Sequence, residues 1–265
     1  MFGLSSEAAL RLALFLGVLA VMALWETLAP RRRRGIPRAR RWPANFSIAA
    51  LDTALLFLVL PAGAAAFALW VQNNGWGLLN AVDVPLWLAA GLSVALLDLV
   101  IYAQHVLLHK SPLLWRIHRM HHTDLELDVS SGVRFHPLEI LFSMAVKLAV
   151  ILVTGAPPEA VLLFEIVLNA TSMFNHANIN LPPAADRLLR RIIVTPDMHR
   201  VHHSVRRAET DSNYGFNLSC WDRLFRTYTA QPGDGHLAMK LGLNEFPSPE
   251  ELKLKSLLTQ PFRRK

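Results

Sequence analysis

Residues 98–122 read DLVIYAQHVLLHKSPLLWRIHRMHH. The first part of this stretch closes an apolar run, Val84–Leu108, long enough for a transmembrane helix, which takes about 20 apolar residues. Within it Asp98, Tyr102, His105 and His109 recur at steps of 4, 3 and 4, so a helix puts them on one polar stripe. Polar groups at that depth are costly unless they are paired or bound to something. Ser111-Pro112 then supplies an N-cap and a proline for the first turn of a new helix. That helix carries His118, His121 and His122. The stretch predicts a membrane helix that turns over, at the membrane surface, into a short helix rich in imidazole.

The spacing recurs. His199-Arg-Val-His202-His203 is a second HxxHH box, preceded by Thr195-Pro196, and with His105-Val-Leu-Leu-His109 the three boxes hold eight of the eleven histidines. Residues at i, i+3 and i+4 share a helix face, so each box is expected to aim its rings at a common point. Capping or interface roles explain any one histidine but not the set. At this histidine content a single HxxHH arises by chance roughly two times in a hundred. Imidazole is the commonest side-chain ligand of transition metals, and eight donors exceed what one ion uses. The count predicts two metals, each with an open position.

Three histidines stand apart. His176, in Asn175-His176-Ala177-Asn178, is either a ninth donor or a helix-end histidine. His136, before Pro137, is expected to orient a ligand rather than to be one. His236, in a Gly-rich loop, is expected to be solvated. Asp98 and Tyr102 are candidates to support the first box, and Asp197 or Asp222 the third, with simple helix capping the alternative for each. Trp115, Phe135, Trp221 and Phe225 line a lipid path or, more ordinarily, pack and anchor at the interface.

Around these boxes the chain reads as a membrane protein. Of its 265 residues 52% are hydrophobic, and the mean hydropathy is +0.30. Ala8–Leu28, Phe46–Val71 and Val84–Leu108 are full spans; Leu138–Val153 and Ala160–Phe174, separated by Thr154-Gly-Ala-Pro-Pro158, form a short helical hairpin of open depth. Lys147 and Glu165 fall inside it and either pair, snorkel or face a polar cavity. Ala8–Leu28 lacks a basic leader, since Met1-Phe2-Gly3-Leu4 precedes it, and is expected to be a retained span.

The formal net charge of +7 is bunched at Arg31–Arg34, Arg38, Arg40 and Arg41, flanked by apolar runs. That pattern fits a loop between membrane helices, not a nucleic-acid patch, and places the loop in the cytoplasm. Threading the chain from there puts all three boxes on the cytoplasmic side. The expected architecture is all-α: a membrane bundle of three spans and a hairpin, with a cytoplasmic helical cap carrying the histidine boxes. The division expected is 1–96 for the first spans and basic loop, 97–230 for the catalytic core and 231–265 for a cytoplasmic tail. The lone Cys220 excludes an intramolecular disulfide.

HxxxH, HxxHH and a distant HxxHH, in that order, resemble the fatty acid hydroxylase / sterol desaturase superfamily. Arg134-Phe-His-Pro-Leu-Glu139, Asn175-His-Ala-Asn178, Thr195-Pro-Asp-Met-His199, Asn213-Tyr-Gly215 and Trp221-Asp-Arg-Leu-Phe225 resemble its branch containing alkylglycerol monooxygenases. The likeness runs from about Asp98 to Tyr228, with one departure: Arg226 stands where that pattern has glycine. The resemblance implies two iron ions and O2 attacking a C–H bond of a membrane lipid. Its ligands would be His105, His109, His118, His121, His122, His199, His202 and His203, with His176 added. Electrons would come from a separate donor protein or a small reductant. Hydroxylation leads; desaturation or ether-lipid cleavage follows from the same centre. A zinc-dependent hydrolase is a weaker alternative, because HExxH is absent, and a haem or transport protein is weaker still, because the histidines are paired and lie at one face. An arginine- and alanine-rich chain of this kind is expected in a bacterial inner membrane.

Overall fold

The structure is a computed structural model and describes residues 4–263; Met1-Phe2-Gly3 and the last two residues of the basic tail lie outside it. Among the described residues the chain is helical, with only isolated β-bridges and no strand. The long helices are α1 (Leu4–Leu28), α2 (Arg38–Val59), α3 (Gly63–Asn73), α4 (Leu86–Lys110), α5 (Pro112–His122), α6 (Pro137–Thr154) and α7 (Pro158–His176). Among the described residues four stretches are long and apolar enough to cross a membrane: Ser6–Leu28, Arg38–Asn73, Leu86–Lys110 and Pro137–Thr154. The protein is an integral membrane helical bundle.

The second span differs from its expected form. It is two helices, because Pro61 cannot continue α2 and keeps Leu60 out of the helical region at φ −138°. Gly63, at φ +77°, restarts the chain as α3. The hairpin is deep: at ~1.5 Å per residue α6 and α7 each extend nearly the ~30 Å of a bilayer's hydrocarbon. Gly155 turns it, left-handed at φ +69°, so close to Gly77 and Asn80 that a Cβ there would lie 2.6 Å from the Asn80 amide. α7 is the less apolar of the pair because protein surrounds it; α1, α3 and α4 all pack against it. Of the options open to them, Lys147 and Glu165 pair across the hairpin, and Arg11 of α1 joins them at 2.7 Å from Glu165. Each charge thereby has an opposite partner at a depth where a lone one is costly.

The basic run Arg31–Arg41 joins α1 to α2 as an internal clasp. Arg34 and Arg38 meet the buried Glu26 at 3.1 and 2.7 Å, and Arg31 meets Asp197 at 3.0 Å. Arg41 is fully buried between Asp124 and Asp128, at 2.6 Å from each, in the segment that follows α5. Beyond the hairpin, short helices cover the histidine end of the bundle: α8 (Pro183–Leu189), α9 (Pro196–His202), α10 (Arg207–Thr210), α11 (Cys220–Leu224), α12 (Gly235–Ala238) and α13 (Leu254–Thr259). The last segment is tied back to α5, where Arg116 donates to the Pro261 carbonyl at 2.7 Å and Arg119 to that of Arg263 at 2.8 Å.

Candidate metal centre

The two HxxHH boxes begin as their sequence signals require. Ser111 accepts from the Leu114 amide to start α5, and Thr195 accepts from the Met198 amide to start α9, each with proline next in line. α5 ends under Arg134, whose guanidinium donates to the Met120 carbonyl at 2.7 Å and to Thr123 Oγ1 at 2.9 Å. A buried cation at the carbonyl end of a helix is the favourable placement. The second box is thus fixed at both ends.

Nine histidines converge, all 2% exposed or less, in two groups. His105, His109, His118, His122 and His202 form one; His121, His176, His199 and His203 form the other, with ligand atoms in each group within 4.8 Å of one another. The boxes do not each point to a single place. In α5 the i, i+4 pair His118 and His122 goes to the first group and His121 to the second; in and just after α9 the pair His199 and His203 goes to the second and His202 to the first. Three and four residues are both one helical turn, yet they differ by about 100° around the axis from their immediate neighbours, and that difference separates two centres. His176, at the end of α7, falls in the second group. Each group therefore draws on several helices.

Within the groups, ring nitrogens face each other. Nε2 of His118 lies 3.1 Å from Nε2 of both His105 and His122; Nε2 of His176 lies 3.0 Å from that of His121 and 3.1 Å from that of His199. Two ligands at right angles around an ion ~2.1 Å away would stand ~3 Å apart. The far nitrogens explain the orientation. Nδ1 donates to the Tyr214 carbonyl in His105, to the Arg134 carbonyl in His121, to the Ser172 carbonyl in His176 and to the Ser212 carbonyl in His202, at 2.7 to 3.0 Å. His118 Nδ1 meets Glu139 Oε1 at 2.7 Å, and His109 Nδ1 is 3.4 Å from Asp211. A protonated Nδ1 leaves the Nε2 lone pair directed at the centre. Burial pushes His118 down to about 3, and burial with neighbouring imidazoles holds His121, His122, His199, His202 and His203 well below the ordinary histidine range. They are neutral, hence donors of electron pairs. Nε2 of His109 and of His202 is buried without any hydrogen-bond partner among the described residues. Buried lone pairs converging without protons between them are destabilising unless a cation takes them. The donor set fits a pair of imidazole-preferring transition-metal ions.

The other expected residues surround this core. Asp98 accepts from Trp221 Nε1 at 2.8 Å and the Leu218 amide at 3.2 Å, and Tyr102 bonds Thr227 at 2.9 Å, so the stripe below the first box grips the loop across from it. Asp222 accepts from the amides of Tyr214 and Gly215, both at 2.8 Å, which fixes the carbonyl that holds His105. Asn213 bridges the Met198 and Thr229 carbonyls at 2.9 and 2.8 Å. Asp197 faces away from the rings, toward Arg31 and Arg200. His136 caps α6 by accepting from the Leu138 amide and donates to the Leu258 carbonyl. His236 is buried, at 6% exposure, where a solvated loop was expected; α12 folds it under the cap beside Asp197. Of the aromatics, Phe135 stacks on His121 at 4.4 Å, Trp115 leans on His109 and His122, and Phe225 stacks on Tyr102.

Sequence reasoning missed Glu139, Asp211 and the four carbonyls. Carbonyls carry no side-chain signature. Glu139 did carry one: an acid in the first turn of a membrane helix whose only other charge is Lys147.

Known proteins resemble this chain over the same region. The family model for fatty acid hydroxylase matches residues 90–227. Ornithine lipid hydroxylase OlsE of Rhizobium tropici is 32% identical over 148 residues, 56% of this chain and 44% of the relative. Human alkylglycerol monooxygenase is 30% identical over 148 residues, 55% of this chain and 31% of the relative. A very-long-chain aldehyde decarbonylase of rice is 28% identical over 179 residues, 62% of this chain and 28% of the relative. The matched region is less than half the length of these relatives. No solved structure matches.

Proposed function

We propose, from the premise that this chain belongs to the fatty acid hydroxylase family, that it is an O2-dependent lipid oxygenase with a histidine-ligated di-iron centre. The observation that carries this is the pairing of five and four buried histidines, without a carboxylate among them, at the end of a membrane bundle. Of the two ions, one would be held by His105, His109, His118, His122 and His202, the other by His121, His176, His199 and His203. When bound, such a pair supplies activation of O2 for attack on an unreactive C–H bond. The residues themselves do three things. Glu139, Asp211 and the carbonyls of Arg134, Ser172, Ser212 and Tyr214 keep the rings in one tautomer and orientation. Phe135, Trp115 and Phe216 pack against the rings and keep water out. The bundle presents the centre at the membrane, where a lipid chain arrives from the side.

In this reading residues 97–230 are the catalytic core, 1–96 the membrane anchor with its clasp and 231–265 a covering tail. The relatives' names speak of ornithine lipid hydroxylation and alkylglycerol monooxygenation; a lipid substrate and hydroxylation are the corresponding proposal here. Electrons come from a separate donor. The Arg31–Arg41 clasp supports a cytoplasmic histidine face in a bacterial inner membrane.

The test is isotopic. Purified, reduced protein incubated with a lipid panel under 18O2 is expected to yield one lipid carrying a single 18O atom, read by mass spectrometry. Incorporation of 18O only from labelled water would assign hydrolysis instead and overturn the reading. A product two hydrogens lighter without label would keep the centre and replace hydroxylation by desaturation.

A further inference from the structure

A cavity of about 240 Å3 opens on the histidine side of the molecule, away from the rings. Its wall includes Arg31, Asp186, Arg187, Arg190, Asp197 and His236. The acids are already matched. Arg31 clasps Asp197 through Nε at 3.1 and 3.2 Å, and Arg200 pairs with the same carboxylate from behind. Arg190 pairs with Asp186, which also accepts from Thr195 at 2.6 Å. Arg187 is exposed at the rim and has no ion pair among the described residues. Four guanidiniums against two carboxylates leave this corner with an excess of two positive charges.

His236 makes the second, independent argument. It is 6% exposed, and neither ring nitrogen has a hydrogen-bond partner among the described residues; Asp197 Oδ2 is 3.6 Å from Nε2. Arg190 Nε is buried and likewise unpartnered among them. Buried donors without acceptors are rare in folded proteins, and here they face one cavity. An oxyanion satisfies both the charge and the donors. The location identifies its source. Arg31 lies three residues beyond the end of α1, a span whose last residue, Leu28, is 74% exposed. Leu188 and Ile192, 63% and 64% exposed, flank the rim from α8 and the turn after it. An apolar exterior beside a cationic recess marks the level where lipid tails end and headgroups begin. The volume is below that of pockets for drug-sized ligands, ~300 Å3 and upward, and suits a headgroup.

We propose that this cavity binds a phosphate group, that of a membrane phospholipid, with Arg187 and His236 as its direct partners. The site shares no residue with the histidine groups and does not depend on the reaction assigned to them.

The test uses the full chain in detergent with its metals. It is titrated with dihexanoyl phosphatidylglycerol, with dihexanoylglycerol and with inorganic phosphate, following the melting temperature and 31P line width. Saturable binding of the phospholipid and none of dihexanoylglycerol are expected. Arg187→Glu and His236→Gln should each weaken it at least about tenfold, with metal content unchanged. Arg191→Glu, an equal charge change on an exposed neighbour outside the cavity, should leave it intact. Equal weakening by Arg191→Glu, or no effect of Arg187→Glu and His236→Gln, would overturn the site in favour of unspecific attraction. Inorganic phosphate binding as tightly as the lipid, and lost in the same two variants, would uphold the phosphate site and overturn its lipid source.

Discussion

Arg226 has a left-handed backbone, φ +60°, in the turn that leads from α11 to Thr227. An L side chain is strained there by ~1–2 kcal/mol, part of which glycine's extra unfolded-state freedom would offset. Arg226→Gly is therefore expected to stabilise the protein by up to about 1 kcal/mol, read as a higher melting temperature without change in metal content. Glu139 and Tyr214 make a contrasting pair. Glu139→Ala removes the acceptor of His118 Nδ1 and should weaken one of the two metals about 10- to 100-fold in competition with a chelator. Tyr214→Phe should leave both in place, because the Tyr214 carbonyl, not its hydroxyl, holds His105, and the hydroxyl has no hydrogen-bond partner among the described residues. The glycine position was legible in the motif around Trp221–Phe225. Which atom of Tyr214 matters was not, since a backbone acceptor is fixed by how a loop folds.

Among elements, the joint between α2 and the segment after α5 concentrates buried charge. Against burial, which raises it, Arg41 and Arg134 hold the Asp124 carboxyl down at about 2. Arg41→Ala leaves Asp124 and Asp128 without their main partner and should cost about 3–5 kcal/mol in unfolding free energy, with earlier loss of metal on heating. The histidine helices were readable because the 3.6-residue period, the Ser-Pro and Thr-Pro starts and the rarity of HxxHH agree. The division of each HxxHH box between two centres was not, because spacing specifies a face and not where each ring reaches across it. The arginine run was legible as a connection between spans; its partners Glu26, Asp124, Asp128 and Asp197 lie far apart in sequence and meet only in the fold. The break between α2 and α3 at Pro61 lies inside the apolar run Phe46–Val71, which hydropathy alone reads as one span.

For the whole molecule, the apolar content and the run lengths gave a membrane bundle, and the structure adds that the less apolar helix of its hairpin, α7, is the one that protein surrounds. Four helices, α4, α5, α7 and α9, together with His203 just beyond α9, deliver the nine rings, so the histidine groups and the bundle are one construction. Metals bound there would stabilise the folded state against the unfolded chain. Metal content is the property that follows most directly from the nine converging rings. Elemental analysis of detergent-purified protein, made with ample iron, is predicted to give about two irons per chain, falling to about one in His105→Ala/His109→Ala and to about one in His176→Ala/His199→Ala. One metal or fewer per chain in folded wild-type protein, or stoichiometric zinc in place of iron, would contradict it.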